Sequence, residues 1–135
     1  MSVRKITPVL FVERIEPCLE LWEGRLGFKR VAEVPEGDRL GFAMLVRDGV
    51  ELMYQSYASV AHDIAPLADE VRHSRQFLFI EVDDLPALEP KLAGQPEVVP
   101  KRETFYGMTE VIVRDAAGHV IVFAQPKAAQ AQGPG

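Results

Sequence analysis

Carboxylates, aromatic rings and three histidines are the side chains through which this 135-residue chain could do chemistry. Glu51 stands in the run Val50-Glu51-Leu52-Met53-Tyr54-Gln55. Period-two alternation puts Glu51, Met53 and Gln55 on one face of a strand and Val50, Leu52 and Tyr54 on the other. By the same rule Phe77 and Phe79 share a face with Glu81, and Val120 and Val122 share one with Ala124. If Glu51, Phe77 and Val122 line one pocket, its walls are apolar and aromatic and carry a single carboxylate, the composition of an ordinary small-molecule site. The bland reading is that Phe77, Phe79 and Val122 are core and Glu51 lies on a solvated face; the residues alone leave the two readings even. Phe105 and Tyr106, just before Gly107, can stack on a flat ligand or close the edge of a core. Glu110 can accept a hydrogen bond from an amine or pair with Arg102 or Arg114. The candidate ligand-binding residues are therefore Glu51, Met53, Phe77, Phe79, Phe105, Tyr106, Glu110 and Val122. Glu51 is the one catalytic candidate, because an apolar pocket raises a carboxylate's pKa toward the range of a general base.

Other chemistry finds little support. There is no glycine-rich phosphate loop, no His-Glu-x-x-His pattern and no paired-cysteine spacing. His62 and His73 fall in a polar connector and His119 precedes the last strand-like run; each reads as solvated rather than ligating. Cys18, the single cysteine, lies on the apolar side of a helical pattern, reads as inert and cannot form an internal disulfide. Trp22 reads as a core anchor. With no signal-peptide pattern at the start, a reducing cytoplasm is the expected compartment. Fifteen Lys and Arg against twenty Asp and Glu give a net charge of −5, which weighs against nucleic acid and mildly favours neutral or cationic ligands. The hydrophobic share of 47% argues against a disordered chain, and no apolar stretch is long enough for a membrane-spanning helix.

The elements that must position these residues recur. Ile6–Val12 is a β-branched run whose Pro8 cannot donate to a ladder, so it belongs at an edge or hinge. Glu16-Pro17 opens a helix with Cys18, Leu19, Leu21, Trp22 and Leu26 on one face and Gly27 as its stop. Phe28–Val34, Leu40–Val46 and Val50–Gln55 are strand-like, divided by Pro35-Glu36-Gly37-Asp38 and by the hairpin pair Asp48-Gly49. After a mixed connector over residues 57–75, with a short helix over Ala61–Arg72, the order restarts. Gln76–Val82 is a strand, Asp83-Asp84 an N-cap and Leu85–Ala93 a helix, followed by strands at Glu97–Lys101, Glu110–Arg114 and His119–Ala124. The strings Phe11-Val12-Glu13-Arg14-Ile15 and Glu81-Val82-Asp83-Asp84-Leu85 run parallel. The reading is one domain over residues 1–126, built of two strand–helix–three-strand modules (about 5–56 and 76–125), with residues 127–135 expected to be a disordered tail.

Pro8-Val9-Leu10-Phe11-Val12, Leu21-Trp22-Glu23-Gly24-Arg25-Leu26-Gly27-Phe28, Tyr106-Gly107-Met108-Thr109-Glu110 and Arg114-Asp115-Ala116-Ala117-Gly118 with Phe123 together resemble the vicinal oxygen chelate superfamily, nearest its bleomycin-resistance branch. Ala116 departs from the proline usual there, and His119 replaces a common asparagine. The resemblance implies an α+β fold of paired βαβββ modules forming cup-shaped, mostly antiparallel sheets. It also implies a homodimer, in some members with the N-terminal strand exchanged about a proline such as Pro8. In metal-using members four inward positions hold the metal, and these fall on Thr7, Glu51, Phe77 and Val122. Only Glu51 is a good ligand, so neither metal nor cofactor is expected. The expected function is binding and sequestration of a small aromatic or cationic molecule, without nucleic acid or membrane as partner. The alternative is a glyoxalase-type lyase or isomerase with Glu51 as base.

Overall fold

The computed structural model describes residues 1–127; the expected disordered tail lies, from residue 128 on, outside the described residues. The chain divides into two compact units between Arg75 and Gln76. Each is a βαβββ module with a four-stranded mixed sheet.

In the first unit β1 (Val9–Val12) leads to α1 (Glu16–Leu19), which continues as a π-helical stretch over Glu20–Arg25. Strands β2 (Lys29–Glu36), β3 (Arg39–Arg47) and β4 (Val50–Ser56) follow, and the sheet order is β1-β4-β3-β2, with β1 parallel to β4. Pro8 precedes the edge strand, where no ladder donor is missed, and its carbonyl accepts from the Met53 amide at 2.9 Å. Asp48 and Gly49 both take positive φ (52° and 77°), the conformation a tight two-residue hairpin demands. Gly27, at φ 73°, ends the helix.

The helical segment covers one face of this sheet. Leu10, Val12, Ala43, Leu45, Leu52 and Tyr54 are buried on one face, with Ile15, Cys18, Leu21, Trp22 and Leu26 from the helical segment. The Trp22 indole N–H donates to the Tyr54 hydroxyl at 2.9 Å inside this core, and Trp22 meets Phe28 edge-on at 5.1 Å. The connector forms α2 (Tyr57–Asp63), capped by the Ser56 hydroxyl, then two short 3₁₀ turns. The helix expected at Ala61–Arg72 therefore starts four residues earlier and ends nine earlier; Ser56 as N-cap and Pro66 mark those bounds.

The second unit repeats the plan. β5 (Phe77–Glu81), α3 (Leu85–Leu88, extended by a 3₁₀ turn Glu89–Leu92), β6 (Glu97–Glu103), β7 (Met108–Arg114) and β8 (Val120–Pro126) form a sheet in the order β5-β8-β7-β6. The Asp84 carboxylate caps α3 by accepting from the Ala87 amide at 3.1 Å. The Asp115-Ala116-Ala117-Gly118 turn is built by the Asp115 carboxylate, which accepts from the Ala117 and His119 amides, while Gly118 takes φ 94°. Buried positions are Ile121, Phe123 and Val113 of the sheet with Leu85 and Leu92 of the helical segment. His119 corrects the expectation of a solvated ring: it is buried, and its Nδ1 accepts from the Gln76 amide at 2.9 Å. That bond ties β8 to the start of β5. His62 and His73 are exposed, as expected.

Candidate functional site

Each sheet has a second face, opposite its helix, and register assigns the residues on it. In the first unit three cross-strand rows lie there: Thr7 and Glu51 with Val46 and Lys29; Val9, Met53, Met44 and Ala32; Phe11, Gln55, Phe42 and Val34. Glu51 and Met53 thus stand side by side on this face, as their alternation requires. The Glu51 carboxylate is already engaged. Thr7 Oγ1 donates to Oε1 at 2.8 Å and Lys5 Nζ to Oε2 at 2.9 Å. These donors, Lys5 first and Thr7 second, hold the Glu51 carboxyl below its ordinary pKa, the opposite of the upward shift expected in an apolar pocket. A carboxylate so stabilised is a weakened proton acceptor.

On the second unit's corresponding face, Phe79, Val122, Ile112 and Val99 form one row, and Glu81, Ala124, Glu110 and Arg102 the next, with Phe77 beside Val120. Phe77 is 74% exposed and Phe79 54% exposed. They are not core side chains, which removes the bland reading for both; Val122 beside Phe79 is half-buried. An aromatic pair left open to solvent on a sheet face is a costly arrangement unless something covers it.

Glu110 takes the second of its expected roles, pairing with Arg102, but in a buried position. It is 2% exposed, Arg102 Nε donates to its Oε1 at 3.0 Å, and the Tyr106 hydroxyl donates to its Oε2. Both oxygens are taken, so Glu110 pairs with Arg102 but not on the surface, and its own carboxylate is not available to an incoming amine. Arg102 is held charged by this hydrogen bond to Glu110. Phe105 sits at the tip of the β6–β7 hairpin, 99% exposed, its ring edge-on to Tyr106 at 5.0 Å. Arg102 was legible only as a possible partner; that it and Glu110 are cross-strand neighbours follows from a hairpin turning at Gly107, eight residues apart. Lys5 gave no sequence signal.

The four positions that the resemblance assigns to a metal do not fit one. Thr7 supplies a hydroxyl, Glu51 a carboxylate bound to Lys5, and Phe77 and Val122 hydrocarbon. By register the β8 residue standing where Glu51 stands in β4 is Val120, with Val122 in the place of Met53; neither valine carries a donor. Among the described residues no three His, Cys, Asp or Glu side chains gather as a cation site would require. On the helix side of the second sheet, away from these residues, a shallow depression of about 230 Å³ lies between Leu92, Val111 and Val113, rimmed by the Lys101–Glu89 ion pair at 2.7 Å. Among the described residues no helix is long and apolar enough to cross a membrane.

A family model described as the glyoxalase/bleomycin resistance protein/dioxygenase superfamily matches residues 5–123. No curated protein sequence matches the chain. Among solved structures, a lactoylglutathione lyase from Agrobacterium tumefaciens is similar at TM-score 0.73 and 12% identity, covering 98% of both chains. A bleomycin-binding protein from bleomycin-producing Streptomyces verticillus, solved with copper(II)-bleomycin, is similar at TM-score 0.59 and 25% identity, covering 91% of this chain and 96% of that one. An antibiotic binding protein from a Streptomyces species is similar at TM-score 0.62 and 16% identity, over 93% of this chain and 99% of that one.

Proposed function

This chain belongs to the glyoxalase/bleomycin resistance protein/dioxygenase superfamily, and we propose that within it the protein is a metal-independent binder that sequesters a small, flat aromatic molecule without turning it over. The observation that carries this reading is the pair Phe77 and Phe79, exposed on the open face of the second sheet beside Val122 and Ile112. Aromatic faces recognise flat ligands by offset stacking and by removal of apolar area from water. Between the aromatic and cationic ligands that sequence leaves open, the geometry favours the aromatic one, because Glu51 and Glu110 are each already paired with a cation. The similarity to a bleomycin-binding protein and to an antibiotic binding protein supports an antibiotic-like ligand for this chain.

The lyase or isomerase alternative draws less support. It would rest on Glu51 as base, and that carboxylate is hydrogen-bonded and shifted down in pKa. The reading further takes the protein as a homodimer, with exchange of the N-terminal strand about Pro8 as one form of it. Its compartment in this reading is the reducing cytoplasm, to which a single buried thiol, Cys18, is suited. The test is fluorescence titration with N-phenyl-naphthylamine, a neutral two-ring dye with a pendant phenyl. Saturable binding weakened about tenfold or more in a Phe77→Ser/Phe79→Ser variant is expected; no saturable binding, or equal binding by the variant, would overturn the reading. Calorimetric titration with a bleomycin-type glycopeptide tests the ligand itself: affinity weaker than about millimolar removes that ligand while leaving the aromatic class in place.

A further inference from the structure

Arg102, on the open face, has more donors than its bond to Glu110 uses. Its guanidinium carries five N–H donors in a rigid fork. Nε–H goes to Glu110 at 3.0 Å, the Tyr106 hydroxyl is bound to the other oxygen of the same carboxylate, and the Arg102 side chain is 48% exposed while that of Glu110 is 2% exposed. The burden of the pair is therefore asymmetric. A buried carboxylate, clamped from both sides, holds a half-exposed guanidinium in one orientation, with donors remaining for a further acceptor.

We propose that Arg102, positioned by Glu110 and Tyr106, is an oxyanion-binding subsite, and that the aromatic ligand bears a planar or tetrahedral oxyanion such as a carboxylate or sulfonate. This rests on the aromatic-binding reading and adds a substrate class to it. The placement fits. Arg102 ends the row Glu81–Ala124–Glu110–Arg102, adjacent to the row that holds Phe79, Val122 and Ile112. Three strand spacings separate β6 from β5, about 14 Å between backbones, a span that a two- or three-ring acid and the reach of both side chains fill. Phe105 and Tyr106 stand on the same hairpin as Arg102 and offer a ring beside the anion. Chain-wide electrostatics does not supply the preference, since the net charge of −5 repels an anion; the attraction has to be local and directional. An ion pair that merely closed the hairpin would work as well with both partners exposed, and would contribute little.

The experiment compares two probes that differ by one group: N-phenyl-naphthylamine and anilinonaphthalene sulfonate, the same ring system carrying a sulfonate. Each is titrated against the wild type and against Arg102→Gln/Glu110→Gln, a double variant that removes one positive and one negative charge and so leaves the net charge unchanged. The expected result is a fall of about fivefold or more in the ratio of sulfonate to neutral-dye affinity, since a charge-assisted bond to a half-exposed group is lost. A ratio unchanged within about twofold, with the neutral dye still bound, overturns the oxyanion subsite and leaves the aromatic reading standing. Failure of both dyes to bind the wild type overturns the aromatic reading and the subsite with it. Should the double variant bind neither dye, Arg102→Lys decides: it keeps the charge and loses the fork, so a ratio lowered at least about twofold supports the subsite and an unchanged ratio overturns it.

Discussion

Replacing Tyr54 by Phe deletes one oxygen atom from the middle of the first unit and tests how that core is held. The Tyr54 hydroxyl accepts the Trp22 indole N–H at 2.9 Å, and both side chains are fully buried. Phe fills the same space, so no cavity opens. What remains is an indole N–H with no acceptor and no access to water, a loss of about 1–3 kcal/mol. With a urea slope of about 1–3 kcal/mol/M for a domain of this size, the unfolding midpoint is expected to fall by about 1 M. Far-UV circular dichroism follows unfolding and serves every variant of the comparison, including those that lack Trp22, the only tryptophan. The comparison that isolates the bond is the same substitution in a Trp22→Phe background, where the donor is already gone. There Tyr54→Phe is expected to cost at least about 1 kcal/mol less than in the wild type. A cost of the same size in both backgrounds, or below about 0.5 kcal/mol in the wild type, would refute the argument that the buried donor needs this acceptor.

Phe77→Ser is expected to cost at most about 1 kcal/mol, because a ring 74% exposed has removed only about a quarter of its area from water, whereas Phe123→Ala is expected to cost about 3–5 kcal/mol; urea denaturation of the two variants checks the contrast. The Glu51 carboxyl titrates below its ordinary value when folded, so its contribution to stability is present above the ordinary carboxylate range and lost as pH falls through the depressed pKa. The stability curves of the wild type and Glu51→Gln are therefore expected to differ at neutral pH and to draw together as pH falls below the ordinary carboxylate range; a constant offset throughout the acid range would contradict the shift. The purified protein is expected to hold no stoichiometric divalent metal and to keep its melting temperature after dialysis against a chelator, with elemental analysis as the check; about one manganese, nickel, iron or zinc per chain would show that residues other than the four named positions bind it.

How much of this was legible in the sequence follows from the range of each determinant. Alternation in Val50–Gln55 and the Asp48-Gly49 pair are local, and they put Glu51 and Met53 on one face and Leu52 and Tyr54 on the other, as found; that the second pair is core is seen only from its burial. Asp84 as a cap and Gly27 as a stop are equally local. Period two does not say which face a helix covers, so Phe77 and Phe79 were equally readable as core or as site until their exposure was known. His119 looked solvated because its partner, the Gln76 amide, comes from 43 residues away. Glu51 suggested a raised pKa by analogy with a carboxylate in an apolar pocket; Lys5, 46 residues off, reverses the sign. Strand β6 runs two residues beyond the sequence reading, because cross-strand pairing of Arg102 with Glu110 and of Glu103 with Thr109 extends a ladder that has irregularities on either side of Val99.

The most direct test of the central claim is the map of amide chemical-shift changes in isotope-labelled protein on titration with N-phenyl-naphthylamine. Saturable shifts clustered on Phe77–Glu81, Ile112 and Val122, the open face of the second sheet, are expected. Shifts clustered instead around the Leu92, Val111 and Val113 depression, or no saturable shifts at all, would contradict it.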